Sequence, residues 1–171
     1  MRVYLIGFMG SGKSSMGKKL AARMGYSYID LDERIELDQK QTISEIFAEK
    51  GEEAFRLLER LFLHQTFKIE NIVVSTGGGA PVFFDNMEQM NTNGLCIYLQ
   101  GDVDLLVSRV IRNQQQRPLI ANLNQEELRG FMKEQLEIRK PFYEKARMHI
   151  KSKDLTPAIL YAQVLSWIEN Q

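Results

Sequence analysis

The chain has 171 residues, 44% of them hydrophobic and 26% charged, and its 22 Lys and Arg are matched by 22 Asp and Glu. That length suits one compact domain with its own core, and the even charge balance argues against a nucleic-acid partner. No apolar stretch reaches the ~18 residues of a membrane-spanning helix, no cleavable leader is visible, and the lone Cys96 cannot form an internal disulfide, so a cytoplasmic location is expected.

Short apolar runs alternate with longer stretches of helical period, the pattern of an α/β parallel sheet. The first strand, predicted at 3–6, runs directly into Gly7-Phe8-Met9-Gly10-Ser11-Gly12-Lys13-Ser14. A glycine, four residues and then Gly-Lys-Ser is the phosphate-binding loop pattern. Its glycines let backbone amides close on phosphate oxygens, and the following helix aims its positive end at the same anion. Gly10, Ser11 and Gly12 belong to that cradle. Lys13 is placed to reach the β- and γ-phosphates, the Ser14 hydroxyl to complete a magnesium shell, and Ser15 to donate to the α-phosphate. A nucleoside triphosphate is the expected ligand.

The first helix is predicted over 13–24, stopped by Gly25. A second strand at 28–30 ends in Asp30-Leu31-Asp32, and side chains two apart on an extended chain share a face, so both carboxylates can point into the crevice at the strand's carboxyl end. A capping or solvated role for Asp32 at the next helix is the alternative. Thr42 and Glu45 form a capping box for a short helix carrying Ile43, Ile46 and Phe47, ending at Gly51. The helix after it is expected to turn Ala54, Leu57, Leu58, Leu61 and Phe62 to the core, leaving Arg56 and Glu59, three apart, to pair or to face a ligand.

A strand at 72–75 enters Thr76-Gly77-Gly78-Gly79, where the backbone permits close approach of a small ligand. The place of the usual phosphate-loop aspartate on this strand is taken by Ser75 or Thr76. Asp30 is therefore the better candidate for holding magnesium through water. The strand at 95–99 carries Cys96, read as a buried inert thiol. Asp102 caps a helix with Leu105, Leu106 and Val110. The polar stretch 113–124 reads as a mobile loop, either a lid that excludes water or an ordinary connection.

Asn124 and Glu127 make a second capping box, opening a helix expected to bend or break near Pro141. A strand at 149–151 and a last helix begun by Thr156-Pro157, with Leu160, Tyr161, Val164, Leu165 and Ile168 as its apolar stripe, complete the chain. Residues 30–59 hold ten acids and four bases, whereas 109–151 hold ten bases and five acids, a distribution suited to meeting phosphate charge in the second region. Arg56, Arg117 and Arg139 supply planar forks for carboxylate or phosphate. His64 and His149 read as structural.

The order and spacing of these motifs resemble shikimate kinase. The motifs are Gly10-Ser11-Gly12-Lys13-Ser14, Asp30-Leu31-Asp32, Gly51 followed by Phe55-Arg56 and Glu59, Ser75-Thr76-Gly77-Gly78-Gly79, Arg117-Pro118-Leu119, and Arg139 before Pro141-Phe142-Tyr143. The resemblance spans residues 3 to about 150. It implies a three-layer P-loop kinase fold with a five-stranded parallel sheet of order 2-3-1-4-5 flanked by helices. It also implies a single domain over 1–171, with a substrate-binding segment at about 32–60 and a lid at about 112–124.

The implied activity is transfer of the γ-phosphoryl group of ATP, with Mg2+, to the 3-hydroxyl of shikimate on the route to chorismate and aromatic amino acids. Under the same resemblance Asp32 hydrogen-bonds ring hydroxyls, and Asp30 sits by magnesium and the attacking hydroxyl. Arg56 and Arg139 clamp the carboxylate, and the Gly78 backbone, within the close approach of Gly77–Gly79, lies near a hydroxyl. Arg117 meets the ATP phosphates from the lid. A monomer is implied, with neither nucleic acid nor membrane as partner. The family's adenine-packing arginine falls on Arg109 or Arg112, with the loop near 151–155 also at the adenine. A gluconate kinase is the rival enzyme, opposed by the Asp30/Asp32, Phe55-Arg56 and Gly77–Gly79 set. A GTPase switch would need an Asn-Lys-x-Asp guanine reader, which the chain lacks.

Overall fold

The computed structural model describes residues 1–116 and 120–170. Five strands, β1 (Arg2–Ile6), β2 (Ser27–Asp30), β3 (Ile72–Ser75), β4 (Leu95–Gln100) and β5 (Met148–Lys151), pair in parallel in the order β2-β3-β1-β4-β5. Parallel strands require crossovers, and helices supply them. These are α1 (Lys13–Met24), α2 (Leu31–Gln39), α3 (Ile43–Thr66), α4 (Asn86–Asn93), α5 (Val103–Val110), α6 (Gln125–Tyr143) and α7 (Pro157–Glu169).

Alternation along the strands divides the core in two. Val3, Leu5, Val73, Leu95 and Ile97 pack with Leu20 and Ala21 of α1 and with Leu160 and Val164 of α7. Tyr4, Ile6, Val74, Cys96 and Tyr98 pack on the opposite face, with Leu31, Ile46, Phe62, Leu106, Met132 and Tyr143 from the other helices. A sheet covered on both faces explains why its inner strands β1, β3 and β4 read as nearly unbroken apolar runs. Burial pushes the Cys96 thiol up, as suits an inert core residue.

The helix ends follow the capping signals. Thr42 with Glu45 and Asn124 with Glu127 form reciprocal boxes, and Asp102 accepts from the Leu105 amide at 2.8 Å. α6 carries through Pro141 and ends at Tyr143, because a proline in the final turn removes only one late hydrogen bond. The two short helices after Thr42 are one assigned element with a break at Gly51, whose φ of 80° and ψ of 172° are non-helical.

Beyond that break the expected buried face holds only in part: Phe62 is buried and Leu58 packs against the core, but the leucines on either side do not. Leu57 and Leu61 are 52% and 54% exposed, whereas Phe55, Arg56, Glu59, Phe62, Leu63 and Thr66 are buried. A buried ion pair rotates the helix away from the stripe that hydrophobicity alone selects. Helix α4 and the 3-10 turns Ala80–Val82 and Ile111–Gln116 have no counterpart among the predicted elements.

β1 lies between β3 and β4, so the chain leaves it toward β2 and β3 on one side and toward β4 and β5 on the other. The crevice at the carboxyl end of such a strand is where α/β sheets bind ligands. Register places Asp30 beside Ser75 and Ser75 beside Leu5, bringing the ends of β2, β3 and β1 to one rim.

Candidate active site

The loop after β1 has the conformation its glycines permit. Gly10 and Gly12 take φ of 80° and 95°, a region costly for residues with a Cβ, and Gly12 is the N-cap of α1. The amides of Ser14 and Ser15 in the first turn have no intrahelical carbonyl ahead of them, which makes this rim a ready anion site. Lys13 lies back over the loop, its Nζ donating to the Gly7 and Phe8 carbonyls at 2.9 and 3.1 Å. Ser11 is buried beneath the loop, and Ser15 is exposed at its mouth.

Asp30 is the N-cap of α2 and is thoroughly occupied. It accepts from Ser14 Oγ at 2.7 Å, from the Tyr28 hydroxyl at 3.2 Å and from the Asp32 amide at 3.2 Å. The capping role weighed for Asp32 therefore belongs to Asp30, two residues earlier. The direct Ser14–Asp30 contact brings together the two groups expected to share a magnesium ion. Among the described residues no group of three or more His, Cys, Asp or Glu side chains forms a metal cage. That fits an ion held mainly by phosphate oxygens and water, with one or two protein groups.

Asp32 has a different environment. Its Oδ1 is sealed from solvent with no hydrogen-bond partner among the described residues, and the same is true of Glu59 Oε1. Both atoms converge on Gly77, where a Cβ would lie 2.8 Å from Asp32 Oδ1 and 2.6 Å from Glu59 Oε1. Burial, aided by the neighbouring Asp30 charge and opposed by Lys13 and Arg56, pushes the Asp32 carboxyl up to about 6. Burial likewise raises Glu59 to about 7, outweighing the Arg56 guanidinium, whose Nη1 is 2.8 Å from Glu59 Oε2.

Each glycine of the triplet faces charged groups, two carboxylates at Gly77 and one guanidinium at each of the next two. A Cβ at Gly78 would approach Arg139 Nη1 at 3.3 Å and the Gly7 carbonyl at 3.6 Å. One at Gly79 would meet the Arg56 Nη1, Nη2 and Cζ atoms at 2.6–2.8 Å. Arg56 and Arg139 thus reach adjacent residues of one loop, and that loop touches the phosphate cradle. Arg56 also takes Glu52 Oε1 at 3.1 Å from Nη2, and Arg139 donates to Gln135 at 3.2 Å.

Several participants had not been foreseen. Tyr143 donates to the Gly78 carbonyl at 2.6 Å, and the Phe8 ring lies 5.3 Å from the Arg139 guanidinium. Tyr143 was findable, since it stands four residues after Arg139 and so on the same helical face. Phe8 lies inside the phosphate-loop motif, whose pattern specifies glycines, a lysine and a hydroxyl and leaves this position open.

Arg109 bridges the cradle to the loop after β5, donating to the Gly10 carbonyl at 3.2 Å and to the Ser152 carbonyl at 2.9 Å, while Arg112 is exposed. Arg117, expected in the lid, lies outside the described residues. The stretch read as irregular begins instead with the 3-10 turn Ile111–Gln116. Gln114 anchors it by donating to the Ile120 and Leu123 carbonyls at 2.7 Å each, and Ile120 is fully buried.

The family model described as shikimate kinase matches residues 9–169. The chain belongs to the shikimate kinase family. A relative of that name from Parabacteroides distasonis is 50% identical over 145 residues, covering 85% of this chain and 84% of its own. The crystal structure of shikimate kinase from Bacteroides thetaiotaomicron superposes with a TM-score of 0.93 at 39% identity, covering 99% of this chain and 98% of that one. The Acinetobacter baumannii shikimate kinase, solved in complex with shikimate, gives 0.88 at 32% identity, covering 99% and 93%. The fold expectation of a parallel sheet in the order 2-3-1-4-5 holds throughout.

Proposed function

We propose that this chain transfers the γ-phosphoryl group of ATP to the 3-hydroxyl of shikimate, giving shikimate 3-phosphate and ADP on the route to chorismate and the aromatic amino acids. The observation that carries this reading is the meeting of two unlike sites at one loop. The Gly7 carbonyl of the phosphate cradle and the Arg139 guanidinium both abut Gly78, with Asp32 and Arg56 at the flanking glycines. A polyhydroxylated acid seated there lies between an anion grip and a triphosphate.

In that arrangement Arg56 and Arg139 hold the substrate carboxylate, and the Gly77–Gly79 backbone closes on the ring. Asp32 accepts from the attacking hydroxyl and receives its proton as the oxygen bonds to the γ-phosphorus and the bridge to the β-phosphate breaks. Its unpartnered Oδ1 and raised pKa favour it for this task over Asp30, which already accepts three hydrogen bonds. Gly10, Ser11, Gly12, Ser14 and Ser15 hold the phosphates together with Lys13, which swings from the Gly7 and Phe8 carbonyls, and Arg117 joins them from a lid at about 112–124. Ser14 directly and Asp30 through water are the groups to hold Mg2+, which when bound would offset the charge of the phosphate oxygens. Arg109, already on the cradle, is the side chain for the adenine.

The same reading makes the chain one domain with a substrate segment at about 32–60, working as a cytoplasmic monomer without nucleic-acid or membrane partners. The described residues include no helix long and apolar enough to cross a membrane. A coupled ADP-release assay tests the reading. Shikimate should stimulate ATP consumption and gluconate should not, and the reverse preference would overturn it.

A further inference from the structure

Arg56 offers a flat guanidinium to the pocket, and its plane is set by more than its ion pairs. The Phe83 ring lies 4.2 Å from the Arg56 Cζ, nearer than the Phe55 ring at 5.1 Å or the Phe47 ring at 5.8 Å. Phe55 is the chain neighbour of Arg56 in α3, and Phe47 lies in the same element across the Gly51 break. Phe83 comes from a separate segment, at the end of the Ala80–Val82 turn that follows the glycine triplet.

Its placement is itself secured. Phe84 adopts a left-handed φ of 54° and places its ring 5.1 Å from Arg60, while Asp85 pairs with Arg60 at 2.8 Å. Arg56 and Arg60 are one helical turn apart on α3. The segment 83–85 therefore docks on that helix by covering successive arginines. With Gly79 leaving no side chain against the guanidinium, the fork is confined between a backbone surface and an aromatic face.

We propose that Phe83 is a positioning residue for substrate recognition, its ring fixing the plane in which the Arg56 fork meets the shikimate carboxylate. An aromatic face against a planar cation restricts its rotation without taking up hydrogen bonds, so the donors that Arg56 does not already give to Glu52 and Glu59 stay available for a ligand. This inference rests on the assignment of Arg56 to the carboxylate.

The test is calorimetric binding of shikimate together with steady-state kinetics for Phe83→Leu, Phe83→Met, Phe83→Tyr and Phe84→Ala, each also made with Arg56→Ala where Phe83 is changed. Phe83→Leu and Phe83→Met should weaken shikimate binding and raise its KM on the order of 3- to 10-fold, with the KM for ATP unchanged. Phe83→Tyr, which keeps the ring face, should retain wild-type affinity, and Phe84→Ala, which leaves the Phe83 ring in place and the segment still tied through Asp85 to Arg60, should cost less shikimate affinity than either Phe83→Leu or Phe83→Met. In the Arg56→Ala background the Phe83 substitutions should have no further effect on shikimate. Unchanged shikimate affinity in Phe83→Leu and Phe83→Met, or an equal loss when Arg56 is already absent, overturns the inference. Wild-type protein that ignores shikimate altogether sinks the assignment of the site and this inference with it; wild-type protein that binds while the Phe83 variants match it sinks the inference alone.

Discussion

Arg139 and Asp32 carry the most specific consequences at the level of single residues. Arg139→Ala removes one charged fork from the proposed carboxylate grip while leaving the phosphate loop untouched. Shikimate affinity is expected to fall on the order of 10- to 100-fold, with nucleotide affinity preserved. Equal losses for both ligands would show that the substitution had disturbed the loop instead. Asp32→Asn keeps the shape of the side chain and removes the proton acceptor, so kcat is expected to drop roughly 10²- to 10⁴-fold with ATP still bound.

The same carboxyl makes a prediction about stability. A group whose pKa is higher in the folded than in the unfolded chain contributes stability that is complete below its unfolded value, about 4 for a carboxyl, and lost as pH rises through its folded value. For Asp32 and Glu59 those folded values are about 6 and about 7. Tm should therefore decline as pH is raised from 5 to 8. Asp32→Asn should flatten part of the decline and exceed the wild type at pH 8. Parallel curves for the two proteins would contradict the burial of this carboxylate.

At the level of elements, the loop after β3 explains itself through what it must leave room for. Gly79 has an ordinary φ of −87°, so a methyl group there is tolerated by the backbone and objectionable only to Arg56. Gly79→Ala should raise the KM for shikimate on the order of 10- to 100-fold with little change in Tm, because the guanidinium is the mobile partner that gives way. An unaltered KM would mean that Arg56 does not need this space.

Legibility in the sequence varied with the kind of signal each element carried. The five strands and α1 announced themselves through apolar runs, the phosphate-loop glycines and Gly25, and the capping boxes at Thr42 and Asn124 fixed two helix starts. The buried side of α3 was not legible. Leucines at helical spacing normally mark a core face, and here Leu57 and Leu61 face outward because Arg56 and Glu59 are buried as a pair beside the glycine loop. Asp30 and Asp32 stand out in the sequence as candidate carboxylates, but the difference between them needed coordinates, since it turns on which one is saturated by Ser14 and Tyr28. Phe83 gave no signal at all, being one of two adjacent phenylalanines that differ only in which arginine they cover.

For the whole molecule, the sheet order decides where chemistry is possible. The loops after β1, β2 and β3 share one rim because those strands are neighbours, and α6 reaches the same rim to deliver Arg139 and Tyr143 from more than sixty residues away in sequence. The two proposed binding sites, one for a polyphosphate and one for a carboxylate, are thereby held side by side.

Titration of shikimate into the protein loaded with a non-hydrolysable ATP analogue and magnesium, for wild type and Arg139→Ala, tests that juxtaposition most directly. Wild-type protein should bind shikimate saturably at one site per chain while the nucleotide stays bound, and Arg139→Ala should lose shikimate and keep the nucleotide. Displacement of the nucleotide by shikimate, or equal shikimate affinity in the two proteins, would contradict a shared pocket.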